Sequence, residues 1–280
     1  MTTKRSKSFY FLTAIFLLFL LFLYGPIITI AILSFQGPTG GLTFPMRGIS
    51  THWFAELFKT QMVGDIWGSF RRSLILGLVV MVTTVVFSVA GGLAFRRKFL
   101  GSTPLFYLVI ASLVIPSILV SLGVGLIFSQ LGWEVRWYTS GFGVQLTWTI
   151  PFGLLIMFAV FNRFDPAFEE AGRDLGANPL QVFRLIVLPI IAPALIGVAL
   201  FGFTLSYDEF ARTLLTSGSR NTLPLEIFGM TTNVTTPVIY ALGTLTTVFS
   251  FLVIGSFLTW FLLAQRKRNK LASDAGKGLL

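Results

Sequence analysis

Cutting the chain at every Asp, Glu, Lys and Arg leaves six long uncharged runs. They are Ser8–Met46, Ser73–Phe95, Phe99–Trp133, Trp137–Asn162, Leu185–Tyr207 and Ile227–Gln265. A helix that crosses a bilayer needs about 20 mostly apolar residues, and every other gap between charges is too short. Trimming the runs at Gly, Pro and polar residues predicts spans near 9–34, 73–95, 104–129, 142–162, 186–207 and 238–264. Charged residues make up only 11% of the sequence, against about 25% in a soluble domain, so the solvent for most of this chain is lipid. No polar or Gly/Ser-rich linker divides it, which predicts one all-α transmembrane domain over 1–280.

The first run follows Lys4, Arg5 and Lys7, as a signal peptide would. Its apolar stretch, Phe9–Phe35, exceeds the roughly 7–15 residues of a signal core, and no clear small-residue cleavage site follows. It is expected to remain as a span. With the N-terminus placed in the cytoplasm, fourteen Lys and Arg residues fall inside. Seven fall outside: Arg47, Lys59, Arg71, Arg72, Arg136, Arg212 and Arg220. This bias puts both termini inside. It also assigns the net charge of +10 to flanks of spans rather than to a nucleic-acid-binding face.

Pro26, Pro116 and Pro151 lie within or near the ends of helical runs, where each removes an intrahelical hydrogen bond unless it sits in a first turn. Gly123 and Gly125 leave room for close helix approach. In the first outer loop, Trp53, Phe54, Leu57 and Phe58 form the apolar stripe of a short interfacial helix that Ser50 or Thr51 could cap. His52 is the only histidine of the sequence, and a single histidine is a poor metal site.

Several chemistries are missing. There is no cysteine, hence no disulfide, thiolate metal site or cysteine nucleophile. No Gly-Lys-Ser/Thr phosphate loop, HExxH or GxSxG occurs. The predicted hydrocarbon core holds no ionisable side chain of the kind proton-coupled carriers and membrane proteases use. If the chain moves a solute, the energy comes from a partner.

The longest inner connection, RFDPAFEEAGRDLGANPLQVFRLIVLP from Arg163 to Pro189, is far longer than a connector requires. Asp165 can cap a helix opening at Pro166. Glu169 and Glu170 sit in its first turns, where the helix dipole favours anions. Gly176 suits a left-handed cap. Asn178–Pro179 then opens a second helix with Leu180, Phe183 and Val187 along one side. Ala167, Phe168, Ala171 and Leu175 form the apolar side of the first. The loop reads as a helix–turn–helix elbow built to dock on another protein.

Glu170-Ala171-Gly172, three residues, Gly176, nine residues, and Ile186-Val187-Leu188-Pro189 resemble the EAA loop of permease subunits of binding-protein-dependent ABC importers, whose membrane domain has the MetI-like fold. Gly172 departs from the motif, which has alanine there. The resemblance implies that Glu169, Glu170, Ala171, Gly172, Gly176, Leu188 and Pro189 couple the chain to a dimeric cytoplasmic ATPase. In that role Gly176 permits the turn, and Pro189 and Pro193 pass motion into the fifth span. It implies that ATP and Mg are bound by that partner and no cofactor by this chain. It also implies a homologous second permease, an extracytoplasmic solute-binding protein and a bacterial inner membrane.

Residues 203–242, beginning FTLSYDEFARTLLTSG, are similar to the C-terminal third of spermidine/putrescine permeases, closest to the second permease of that system. Tyr207, Asp208 and Glu209 are the candidate substrate-path residues, since carboxylates beside an aromatic ring suit a polycation. Two alternatives stay open. Asp208 and Glu209 could simply pair with Arg212 at the helix end. Arg212 and Arg220 could favour an anionic or zwitterionic solute instead. For the chain as a whole, the same importer type could carry another solute, such as an opine, an amino-acid derivative or ferric iron, and an ATP-independent channel or carrier is the reading from outside the family.

Overall fold

The computed structural model describes residues 6–59, 64–233 and 236–277. Lys4 and Arg5, and the side chains of Arg266, Lys267, Arg268, Lys270 and Lys277, lie outside what is described. Among the described residues the regular structure is helical, with a single isolated bridge between Gln36 and Ile49. The helices long and apolar enough to cross a membrane number five, or six if one bent pair counts as a span. The chain forms two compact units: 1–64 with 229–259, and 65–228 with 260–280.

In the first unit, α1 (Lys7–Leu33) starts where Ser6 Oγ accepts from the Phe9 amide. Leu33 is its one buried residue, so nearly its whole surface is apolar and exposed, as a lipid-facing helix requires. The loop that follows is organised around Gln36, which has no exposed surface. Its Nε2 donates to Gly41 O at 3.2 Å and its Oε1 accepts from the Arg47 amide at 2.6 Å. The expected interfacial helix is present as α2 (His52–Glu56). Thr51 makes no side-chain cap, and Ser50 Oγ accepts from the His52 amide instead. Trp53 and Leu57 are buried while Phe58 is exposed, so the stripe is only partly used within the chain.

In the second unit, Asp65 caps α3 (Ile66–Phe95), which begins seven residues before the expected span and so carries Arg71 and Arg72 in its first turns. The expected third span is two helices, α4 (Ser102–Val114) and α5 (Ser117–Gln130), bent by 108°. Pro116 is the cause. It forces the preceding Ile115 out of helical geometry, to φ −66° and ψ 127°. Pro151, by contrast, sits inside an unbroken α6 (Ser140–Asn162). Gly125 lies close to the Leu215 carbonyl, while Gly123 faces open space, so only one of the two serves a close approach.

After α6 come α7 (Ala167–Asp174), α8 (Pro179–Val182), a π-helical turn over Phe183–Val187, and α9 (Leu188–Tyr207). Helices α3, α6 and α9 pack on one another to form the core. Small residues permit the approach: Gly92 lies against Met157 and Phe161, Gly202 against Met81 and Thr84, and Gly153 against Ser88 and Val198. Inside, Thr84 donates to Thr149 Oγ1 at 2.9 Å. The segment after α9 folds back into the unit. Ser121 Oγ donates to Arg212 O at 2.7 Å and Ser140 Oγ to Thr216 O at 2.8 Å. It then leads into α10 (Leu223–Asn233); the last helix is α11 (Val238–Lys277).

Candidate functional site

The elbow is built as the residue types dictate. Asp165 Oδ1 accepts from the Ala167 amide at 2.9 Å, and Glu169 and Glu170 occupy the first turn of α7. The helix closes at Gly176, whose φ of +83° is the left-handed conformation that favours glycine. There the Gly176 amide donates to Arg173 O and the Ala177 amide to Gly172 O. Asn178 and Gln181 then form a reciprocal capping box with bonds of 2.9 and 2.8 Å.

Glu169 and Glu170 differ in surroundings. Glu169 is largely buried and bridges two arginines, Arg96 at 2.5 Å and Arg173 at 3.1 Å. The Arg96 guanidinium also lies over the rings of Phe161 and Phe164, at 5.3 and 5.1 Å from their centroids. The end of α3 is thereby tied to the elbow. Glu170 is exposed and makes no ion pair or side-chain hydrogen bond among the described residues. Arg96 reads from sequence as one of three topogenic basic residues; no local pattern marks it as the partner of Glu169.

The apolar side of α7 faces outward. Phe168 and Leu175 are exposed, and Ala167 and Ala171 with them. Gly172 lies on the opposite, buried side, where a Cβ would press into Ile186 Cδ1. The second helix departs from its expected face: Leu180 is 72% exposed, whereas Val187 is buried. The π turn is the reason. Leu188 donates to Phe183 O, five residues back, so side chains five apart superpose. Val182 and Val187 are therefore the pair that enters the core, with Ile191, Met157, Phe161 and Phe164. The turn directly precedes Pro189, whose ring in a regular α-helix would press on the carbonyl of Leu185. Leu188 and Pro189 are half-buried.

At the other end of α9 the three expected substrate-path residues do not share a surface. Tyr207 is buried, stacked on Phe203 with centroids 5.6 Å apart. Asp208 is exposed at the end of the helix. Glu209 is buried and its Oε1 accepts from the backbone amide of Arg212 at 2.8 Å. Neither carboxylate forms an ion pair with the Arg212 guanidinium among the described residues. That guanidinium is fully buried, donates to Thr147 Oγ1 at 2.6 Å and lies over the Trp148 ring at 5.0 Å. A helix-end ion pair is thus replaced by a backbone cap and a cation–π contact.

On the same side, the start of α3 is bonded to residues 221–226. The Asp65 amide donates to Glu226 Oε1 at 2.8 Å, Arg72 Nε to Asn221 O at 2.7 Å, and the Leu223 amide to Ser73 Oγ at 2.8 Å. The Arg72 guanidinium and the Gly68 amide hold the Asp65 carboxyl below the usual carboxylate range.

Similarity to known proteins agrees with this architecture. The chain is 29% identical to the putrescine transport system permease protein PotI of Escherichia coli strain K12, with 92% of each chain covered. It is 27% identical to the spermidine/putrescine transport system permease protein PotC of Haemophilus influenzae, over 83% of this chain and 89% of that one. In fold it resembles a bacterial ABC transporter involved in import of the acidic polysaccharide alginate, with a TM-score of 0.68 at 19% identity over 95% of this chain and 99% of that one. It also resembles the MetNI methionine ABC transporter, with a TM-score of 0.54 at 16% identity, over 69% and 92%. The profile of the binding-protein-dependent transport system inner membrane component matches residues 84–270. The chain belongs to that family, and is a multi-pass membrane permease subunit of an ABC importer rather than an enzyme.

Proposed function

We propose that this permease carries polyamines, putrescine or spermidine, across the bacterial inner membrane with both termini in the cytoplasm. It works beside a homologous second permease, with a dimeric ATPase that holds ATP and Mg and an extracytoplasmic binding protein that delivers the cargo. The elbow is the observation that carries the coupling part of this reading. It presents an exposed carboxylate, Glu170, and an exposed apolar rim of Phe168 and Leu175 to a partner. Its other side runs through the π turn into α9. Glu169 acts within the chain, holding α7 to the end of α3; Glu170, Ala171 and the turn at Gly176 face the ATPase. Gly172, Leu188 and Pro189 seat the elbow on α9.

The polyamine cargo is supported by the relatives' activities and by the exposed Asp208 at the outer end of α9. Glu209 and Tyr207 support the path from within, since both are buried. The test is uptake of radiolabelled putrescine and spermidine by the reconstituted transporter with its binding protein. ATP-dependent uptake of either is expected. Uptake that continues without ATP would remove the importer mechanism, and binding of neither polyamine by the binding protein would remove the cargo assignment alone.

A further inference from the structure

We propose that the cavity between the start of α3 and residues 219–226 is a docking site for acidic side chains of the extracytoplasmic binding protein, with Arg71 and Arg220 as the groups that grip them. The inference rests on the importer reading, which puts this end of the unit on the outer face. The cavity has a volume of about 830 Å³ and is lined by Arg71, Arg72, Arg220, Asp65, Glu226 and Trp67, among others.

Seven basic residues fall on the outer side, where the positive-inside bias disfavours them. Four are accounted for within the chain. Lys59 pairs with Glu56, Arg72 with Asp65 and Arg136 with Glu134, while Arg212 is buried on Trp148. Of the other three, Arg47 is exposed in the first unit; Arg71 and Arg220 are exposed, have no ion pair among the described residues, and line the same cavity. The two acids of the cavity are already engaged. Asp65 accepts from Arg72 and the Gly68 amide, and Glu226 accepts from the Asp65 amide and Asn221 Nδ2. The Asp65–Glu226 bond, with those of Arg72 to Asn221 O and of the Leu223 amide to Ser73, joins parts of the chain 149 to 161 residues apart, so the frame that carries the two arginines is held in place.

The charge selects the occupant. The three arginines of the cavity outnumber its two carboxylates, Asp65 and Glu226, whose oxygens are already bonded within the chain, so the cavity does not suit a polycationic solute. Guanidiniums match carboxylates, which they can grip with two parallel hydrogen bonds. Exposed arginines hold a lone small anion weakly through water; several carboxylates presented together on a protein surface give complementarity and steering. Seating the binding protein would also offset the positive charge of the cavity, so a polycation released from the docked carrier would not meet it.

The test uses the complete transporter in nanodiscs and the solute-binding protein encoded beside this chain, loaded with putrescine. Affinity is measured at low and at physiological ionic strength for wild type, Arg71→Glu/Arg220→Glu and Arg71→Lys/Arg220→Lys. The double reversal is expected to weaken binding by about tenfold or more at low salt and to flatten its salt dependence, with the lysine pair retaining most of the affinity. Basal ATPase without the binding protein serves as the folding control; should the reversal fail it, Arg71→Gln and Arg220→Gln singly replace it. Wild-type affinity and salt dependence in the reversal, with wild-type ATPase stimulated normally, would overturn the docking site and leave the importer reading intact. If the wild type neither binds the protein nor responds to it, both fall.

Discussion

Replacing Glu169 tests the link between the elbow and the bundle. The side chain is 12% exposed and its partner Arg96 22%. Their bond therefore lies between the surface regime, where a pair contributes about 0–1 kcal/mol, and the buried regime, where removing one partner costs about 3–5 kcal/mol. Arg96 is also held by two aromatic faces, which keeps it from swinging into water once its carboxylate is gone. A cost of about 2 kcal/mol for Glu169→Ala follows from those bounds. The Arg173 arm is half-exposed and spaced i,i+4, so it contributes only about 0.3–0.5 kcal/mol. A double-mutant cycle with Glu169→Gln and Arg96→Met, read by unfolding of the purified complex, should give a coupling energy of about 1–2 kcal/mol. Arg173→Ala should change little. Coupling below about 0.5 kcal/mol, or a larger loss from Arg173→Ala than from Arg96→Met, would refute the assignment of the load to the Arg96 arm.

At Gly172, alanine gains about 1 kcal/mol of helix propensity but pushes on Ile186 Cδ1, the free end of a half-buried side chain. Gly172→Ala should therefore melt close to wild type, and Gly172→Leu should lose about 1–3 kcal/mol; an equally stable leucine variant would contradict the close packing. Glu170→Ala removes an exposed carboxylate without an internal partner, so stability should stay within about 0.5 kcal/mol while ATP-coupled uptake falls, and intact uptake would argue against contact with the ATPase. Gly176→Ala places a Cβ at a φ of +83° and should cost about 1–2 kcal/mol in a thermal melt; no shift would mean that the turn relaxes.

The spans were legible because charge spacing and helix length are one-dimensional quantities. Ten of the twelve expected boundaries lie within two residues of observed helix ends, the exceptions being the start of α3 and the end of α11, and the elbow's caps follow from local hydrogen-bonding rules at Asp165, Gly176 and Asn178. Three features depend on geometry that no local pattern carries. Pro116 reads as a kink from sequence, but the size of the bend depends on what the two halves pack against. The π turn shifts the buried face from Leu180 to Val182, because an extra residue in one turn defeats a 3.6-residue count. At the outer end of α9, Glu209 finds a backbone amide and Arg212 an indole face. Sequence spacing offered those two residues to each other and could not show that burial had separated them.

The bend at Pro116 has a consequence for topology. Arg96 touches Glu169, so the end of α3 and the elbow emerge on one face of the bilayer. Between them α6 makes one full traverse, and the intervening chain must therefore make an odd number of its own. Only α4 and α5 are available. At 1.5 Å per residue, their 13 and 14 residues reach about 20 Å each, short of a hydrocarbon core about 30 Å thick. The parity is met when the bent pair counts as one span, and that count sets the parity of everything after it. With the pair as one span, deleting either half leaves too little helix to cross, and α6, with the elbow that follows it, is expected to turn end for end.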